Sequence, residues 1–143
     1  MTSTEGLGVV ARELMSKIEQ RDLTVAVMGL GYVGLPLAVA FAEADVRVLG
    51  FDIDPPKIET LLAGNSYLKT VSKSSVNEVV ESGALVPTGQ IADMHEADAI
   101  LICVPTPLSR HREPDLSYVD ATIRSLRPHL RRGQVLVLSL IHI

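Results

Sequence analysis

The stretch from Thr24 to Asp52 constrains the fold most, because it joins two apolar runs through a glycine-rich turn and an apolar helical segment. The run 25–28 predicts a buried strand, the segment after the glycines predicts a helix as far as Ala44, and the run 46–51 predicts a second strand. This order of strand, glycine-rich turn, helix and strand is that of a dinucleotide-binding βαβ unit.

Three glycines and an aspartate give this unit its expected chemistry. Gly29 permits a tight turn, Gly31 lets a pyrophosphate approach the backbone, and Gly34 lets the helix lie against the strand. The start of the helix presents unpaired N–H groups and the positive end of its dipole to the phosphates. Asp52 lies where a carboxylate accepts hydrogen bonds from the adenosine ribose and would repel a 2′-phosphate. We therefore expect the cofactor to be NAD rather than NADP.

The same stretch has a second interpretation, a membrane span, because no charged residue occurs from Thr24 to Ala42. Pro36 is tolerated only near the start of a helix, which places that start beside the glycines rather than upstream of them. A strand and a helix that are both buried explain the apolar character better, so we reject the span. A glycine-rich turn in another kind of α/β domain is the alternative that stays open.

Composition limits the remaining classes of function. The chain has 143 residues, 47% of them hydrophobic, which is enough for one domain with a real core. Its net charge of −4 comes from dispersed charges, so we expect neither nucleic acid nor a membrane surface as a partner. The single cysteine excludes an internal disulfide framework and suits the cytoplasm. No His, Cys and carboxylate cluster has metal-ligand spacing, so we expect no metal.

Residues 1–22 precede the nucleotide-binding unit and predict a loose tail followed by a short amphipathic helix. Val10, Leu14 and Ile18 recur at four-residue spacing in that helix. It could pack on the edge of the sheet or on a partner subunit, or it could be an ordinary surface helix.

A helix is predicted directly after the second strand, with Asp54 as its cap and a proline in its first turn. Lys57 lies one turn into this helix, near the adenosine end of the site. It could pair with Asp52 or contact the ribose, or it could be a solvated helix charge. Further along the chain we expect a helix over 74–81, a strand over 84–86 and a small helix over 90–97.

The apolar run 99–104 predicts a central parallel strand that ends abruptly at Pro105-Thr106-Pro107. Ligands of open α/β sheets bind beyond the carboxyl ends of the strands, so we expect Thr106 near the nicotinamide. Cys103 fits a small core residue better than a nucleophile. A charged loop over 109–115, a helix over 116–130 and a last apolar strand from Val135 onward complete the chain.

Four segments together resemble the UDP-glucose/GDP-mannose dehydrogenase family: VAVMGLGYVGLPLAVAFAEA, GFDID, ADAILICVPTP and REPDLSYV. Within that family they look most like the branch that oxidises UDP-N-acetylhexosamines such as UDP-N-acetylglucosamine and UDP-N-acetylmannosamine at C6. The resemblance covers roughly residues 23–137 and identifies them with the N-terminal, NAD-binding domain. We therefore expect a fragment of a longer, cytoplasmic protein.

The resemblance also implies roles for particular residues. Tyr32 and Val33 would give backbone contacts to the pyrophosphate, and Asp52 and Lys57 would hold the adenosine ribose. Thr106 would lie beside the nicotinamide and the reacting carbon, in the same cofactor-binding segment as the two residues before it, Val104 and Pro105.

Family members oxidise the C6 alcohol of the sugar to a carboxylate in two hydride transfers, consuming two NAD, and a cysteine thiolate forms the covalent intermediate. The resemblance places that cysteine, a lysine and the UDP-N-acetylhexosamine pocket beyond residue 143. We expect the fragment alone to be inactive and the full-length protein to be a homo-oligomer.

Two positions depart from the family pattern. Asp45 stands where the family usually has glycine, at the turn before the second strand, and we expect a small cost in stability with binding intact. After Val137 the family continues with a Glu-Ser-Thr-Thr-like run, whereas this chain reads LSLIHI. We expect residues 138–143 to derive from a sequencing adapter; the alternative is a genuine apolar strand.

The sequence therefore predicts an α/β, Rossmann-type doubly wound parallel sheet, C-terminally truncated, over 23–137. Two other functions stay open. One is a stand-alone NAD-binding or NAD-sensing module without catalysis. The other is a short-chain dehydrogenase or epimerase, against which the absence of a Tyr-x-x-x-Lys pair counts.

Overall fold

Five parallel strands form one sheet in a computed structural model that describes residues 8–139. The strands are β1 (Thr24–Met28), β2 (Arg47–Phe51), β3 (Leu85–Thr88), β4 (Ala99–Ile102) and β5 (Val135–Leu138). Their spatial order is β3-β2-β1-β4-β5, so the order reverses between β1 and β4. This arrangement confirms the Rossmann-type doubly wound fold and supplies its first five strand positions.

Helices cover both faces of this sheet. They are α1 (Val9–Glu19), α2 (Gly34–Glu43), α3 (Pro55–Leu62), α4 (Lys73–Glu81) and α5 (Ser117–Leu126), with short 3-10 segments at Ile91–Glu96 and Arg127–His129. Within residues 8–139, every helix falls short of the length and apolar character that crossing a bilayer requires.

Alternate residues of β1 face two separate cores, as the period of a strand requires. Val25 and Val27 pack with α2 and α4 on one face, while Ala26 and Met28 pack with Met94 and the end of α5 on the other. All four side chains are almost completely buried. The central strand is thus apolar throughout because both of its faces are covered, which is why its sequence shows no alternation.

Several predicted boundaries need correction. The predicted strand 99–104 ends at Ile102, and the predicted helix 116–130 ends at Leu126. Pro128 accounts for the second difference, because it lacks the N–H that would continue the helical hydrogen bonds beyond Leu126. The predicted cap is also wrong in its chemistry, because the Asp54 side chain accepts no hydrogen bond from α3.

The turn between α2 and β2 confirms the expected backbone geometry at Asp45. This residue has a φ of 63°, in the left-handed region that glycine occupies without cost. Its N–H donates to the carbonyl of Ala42, 3.1 Å away. The aspartate therefore occupies the turn at the price of some backbone strain.

Helix α1 lies on the surface, with none of its residues buried. Its main anchor is the Lys17 ammonium, which donates to the Asp98 carboxylate over 2.8 Å at the amino ends of the strands. Val10 lies beside Gly133, just before the edge strand β5, so packing on the sheet edge or a partner and an ordinary surface helix both stay predictions.

The end of the chain is described only as far as Ser139. β5 includes Leu138, and the N–H of Ser139 donates to the Ile102 carbonyl over 3.0 Å. Residues 1–7 and 140–143 lie outside the described residues, so the loose tail and the adapter origin of 138–143 stay predictions.

Candidate nucleotide-binding cleft

A cleft of about 610 Å³ runs along the carboxyl ends of the strands, at the point where their order reverses. It brings together nearly all the cofactor-binding residues that the sequence predicts: Gly29, Gly31, Tyr32, Val33, Asp52, Lys57, Val104, Pro105 and Thr106. Open α/β sheets bind their ligands at this place.

Gly29 and Gly34 are required by the packing of the chain itself. Gly29 has a φ of 94°, and a Cβ there would lie 2.9 Å from the carbonyl oxygen of Cys103. A Cβ on Gly34 would overlap the carbonyl oxygen of Gly29. Gly34 therefore brings α2 against the end of β1, as its spacing predicts, and it does not line the cleft.

Gly31 differs, because no packing contact within residues 8–139 requires a glycine there. Its φ is not positive, and in the part of the chain that the structure describes, a Cβ added there would meet no atom within 4 Å apart from those of its chain neighbours. The N–H groups of Tyr32 and Val33 beside it donate to no backbone carbonyl within residues 8–139. Open space and free N–H groups at the start of a helix fit the pyrophosphate of a dinucleotide.

Asp52 follows β2 and places a buried carboxylate beside the glycine-rich turn. The residue is 8% exposed, its Oδ2 accepts from the N–H of Leu30 at 2.9 Å, and its Oδ1 accepts from the N–H of Asp54 at 2.9 Å. The Lys57 ammonium lies 3.6 Å from Oδ2, so Lys57 pairs with Asp52 and is not simply a solvated helix charge. Each carboxylate oxygen keeps accepting capacity for a ligand hydroxyl.

The sequence did not indicate Tyr67, which contacts both the glycine-rich turn and Lys57. Its hydroxyl donates to the carbonyl of Leu30, and its ring centroid is 5.9 Å from the Lys57 ammonium. Burial, with added effects from Asp52 and Asp54, raises the pKa of Tyr67, so the hydroxyl keeps its proton. No pattern in the loop after α3 distinguishes this tyrosine from a surface residue.

The exit of β4 forms the other half of the cleft. Cys103, Val104, Pro105 and Thr106 line it in succession, and the half-buried Thr106 stands at its wall. Burial raises the pKa of the Cys103 thiol, which keeps the thiol protonated and fits a core residue rather than a nucleophile.

Helix α5 forms one wall of the cleft. The periodicity of the sequence predicts the helix but not its position beside the cleft. The cleft-facing side chains are Tyr118, Ala121, Thr122 and Ser125. Periodicity indicates which residues share a face but not which ligand lies against that face. Within the described range, no three His, Cys, Asp or Glu side chains are grouped so that they could hold a metal ion.

The reversed strand order, the open glycine and the buried carboxylate together define a dinucleotide-binding domain of the dehydrogenase class. Residues 23–140 match the model of the UDP-glucose/GDP-mannose dehydrogenase family, NAD binding domain. The chain belongs to this family, whose cofactor is NAD. Membership removes the short-chain dehydrogenase alternative.

Two relatives are named as dehydrogenases of N-acetylated sugar nucleotides. The chain is 37% identical over 116 residues to UDP-N-acetyl-D-mannosamine dehydrogenase of Escherichia coli K12, covering 81% of this chain and 27% of that protein. It is 38% identical over 117 residues to NDP-N-acetyl-D-galactosaminuronic acid dehydrogenase of Ralstonia nicotianae, with the same coverage.

A solved structure agrees with these relatives. The UDP-D-ManNAc dehydrogenase of Pyrococcus horikoshii superimposes with a TM-score of 0.75 at 34% identity, covering 81% of this chain and 28% of that one. The chain therefore spans a little over a quarter of the length of the proteins it matches.

Proposed function

We propose that this chain is the NAD-binding part of a UDP-N-acetylhexosamine 6-dehydrogenase, which oxidises the C6 alcohol of the sugar to a carboxylate. Its support is the cleft at the strand-order reversal together with relatives that are dehydrogenases of N-acetylated sugar nucleotides. NAD, when bound, accepts a hydride in each of two oxidation steps. The oligomeric state, the cytoplasmic location and the absence of nucleic acid and membrane partners stay predictions.

The residues of this chain have binding and orienting roles in the proposal. The pyrophosphate lies on Gly31 and the N–H groups of Tyr32 and Val33, and the ribose hydroxyls donate to Asp52 beside Lys57. Gly34 brings the N-terminus of α2 to the phosphates through its packing.

Val104, Pro105 and Thr106 border the nicotinamide, and Thr106 lies beside the reacting carbon. The proposal assigns the covalent intermediate to a cysteine beyond residue 143, as the family resemblance implies, while Cys103 packs against the core at the exit of β4.

The deciding experiment is an assay of the full-length protein with NAD and each of UDP-N-acetylglucosamine, UDP-N-acetylmannosamine and UDP-N-acetylgalactosamine. We expect two NADH to form per sugar consumed and the product to be the uronic acid. NADH binding without oxidation of any UDP-sugar would instead support the alternative of an NAD-sensing module.

A single substitution tests the cofactor site separately from the stability of the fold. We expect Gly31→Val to abolish NADH binding, since the new side chain fills the space above the loop. The melting temperature should change little, because within residues 8–139 a Cβ there would contact no atom within 4 Å apart from those of its chain neighbours. Full NADH binding by this variant would contradict the proposed placement of the pyrophosphate.

A further inference from the structure

Leu30 is held on both sides by side chains from other parts of the chain. It lies between Gly29 and Gly31 and is completely buried. Its N–H donates to Asp52, and its carbonyl accepts from the Tyr67 hydroxyl. The flanking glycines have no side chains with which to fix their own conformation. The two tethers therefore add to the backbone hydrogen bond from the Leu35 N–H to the Gly31 carbonyl in fixing the position of the open Gly31.

Tyr67 also contacts the cation of the site. The Lys57 ammonium lies 5.9 Å from the ring centroid, within the range of a cation–π interaction, and 3.6 Å from the Asp52 carboxylate. The ring thus helps to hold Lys57 beside Asp52 while the hydroxyl holds the glycine loop. Tyr67 itself does not line the cleft.

We infer that Tyr67 is a positioning residue for the cofactor site, which sets the glycine loop through Leu30 and the ribose-binding pair through Lys57. This inference rests on the proposed function. Tyr67 makes no contact with the cofactor in this inference. A change at Tyr67 should therefore have little effect at the nicotinamide end of the cleft. The hydroxyl donates at all pH values near neutrality, because burial raises its pKa.

The test is the affinity of the full-length Tyr67→Phe variant for NADH and for ADP-ribose, which lacks the nicotinamide. We expect about three- to tenfold weaker binding, because a loop that the hydroxyl no longer holds must be ordered when the ligand binds. The fold-change should be the same for both ligands, because both carry the pyrophosphate and the adenosine ribose. Tyr67→Leu, which also removes the ring beneath Lys57, should bind both ligands more weakly still.

Thr60→Val is the matched control. The Thr60 hydroxyl also donates to a backbone carbonyl, that of Pro56 at 2.8 Å, but it lies on the exposed side of α3. We expect this variant to bind NADH with unchanged affinity. In the activity assay, Tyr67→Phe should raise KM for NAD by the same factor as the dissociation constant and leave kcat unchanged.

Hydrogen exchange separates positioning from a general structural role. The inference expects faster exchange in Tyr67→Phe to be confined to residues 29–34 and the start of α3. Faster exchange across the whole sheet, or NADH affinity within twofold of the unaltered protein, would overturn it. Absence of NADH binding by the unaltered protein would overturn the proposed function as well, so the two failures are distinguishable.

Discussion

Two buried aspartates lie at opposite ends of the sheet, Asp52 after β2 and Asp98 before β4, with exposures of 8% and 6%. Asp98 accepts from the Lys17 ammonium at 2.8 Å, from the Arg131 guanidinium at 3.2 Å and from the Thr24 N–H at 2.9 Å. Asp52 accepts from two backbone N–H groups, and its nearest cation is 3.6 Å away. The chain's own cations thus hold Asp98 through direct hydrogen bonds, whereas Lys57 meets Asp52 only as a longer ion pair.

The difference explains why only one of them suits a ligand. An ionised carboxylate offers about four accepting positions, of which Asp98 uses three and Asp52 uses two. Asp98 joins α1, β1 and the loop before β5, so its charge holds the amino end of the domain together. Asp52 faces the cleft with accepting capacity left. A buried carboxylate therefore indicates a binding site when its unused accepting positions face a cleft, as those of Asp52 do.

The largest expected effect is on stability, from Asp98→Ala. The change leaves two cations and the Thr24 N–H without their partner, so the free energy of unfolding should fall by about 2–3 kcal/mol. The loss stays moderate because Lys17 and Arg131 are themselves partly exposed. Urea unfolding followed by circular dichroism measures it, and NADH affinity should not change.

Asp120→Ala is the control for that prediction. Asp120 pairs with Arg124 at 2.9 Å, but both side chains are mostly exposed. Its removal should cost at most about 0.5 kcal/mol. Equal losses in the two variants, or weaker NADH binding by Asp98→Ala, would contradict the assignment of a purely structural role to Asp98.

The second effect is on binding, from Asp52→Ala. Loss of hydrogen bonds between the carboxylate and the ribose should weaken NADH binding about 10- to 100-fold, as for hydrogen bonds to charged groups. The preference for NADH over NADPH should narrow, because the charge that repels a 2′-phosphate is gone. Fluorescence titration of the full-length protein measures both affinities. Unchanged NADH affinity would refute the ribose assignment.

The sequence predicted the cleft at the carboxyl ends of the strands better than the contacts at their amino ends, and the reason is physical. Gly29, Gly34 and Asp52 are close together in the chain. They meet through one turn and two strands, and the hydrophobic pattern predicts the order of these elements. Asp98 instead meets Lys17 and Arg131, which are 81 and 33 residues away in the chain. A partnership of that kind depends on the assembled fold and leaves no local spacing to read.

The same limit applies within the cleft. Tyr67 reaches Leu30 across 37 residues, and α5 forms a wall only because β4 and β5 place it there. Asp98 did carry one signal, since an acidic residue directly before a buried apolar strand requires a partner. The helix end at Leu126 was also predictable, because Pro128 follows it by two residues.

The third effect is a pH dependence of stability that arises at the amino end. Burial alone would raise the pKa of Asp98, but the hydrogen bonds from Lys17, Thr24 and Arg131 outweigh burial and lower it. A folded-state pKa below the unfolded one adds stability above the unfolded pKa, and that stability is lost as the pH falls through the folded pKa. Each unit of difference corresponds to about 1.4 kcal/mol.

Unfolding of the unaltered protein and of Asp98→Asn should therefore be compared across pH. The difference in their free energies should be full above about pH 5 and should shrink below about pH 4, where both forms become neutral at this position. A difference that stays constant from pH 7 to pH 3 would mean that hydrogen-bond geometry, and not charge, stabilises the amino end.

The smallest effect comes from Asp45→Gly, which tests whether the amino end can change without disturbing the cleft. The φ of 63° at Asp45 strains an L-residue in the folded state but does not strain glycine. Glycine, however, gives the unfolded chain more conformational entropy, which favours unfolding. The two terms nearly cancel, so we expect stability to rise by only about 0.5 kcal/mol. NADH affinity should stay the same, because the turn precedes β2 at the end opposite Asp52. Stronger NADH binding by Asp45→Gly would mean that strain at this turn reaches the cofactor site through β2, and the two ends could then no longer be treated as independent.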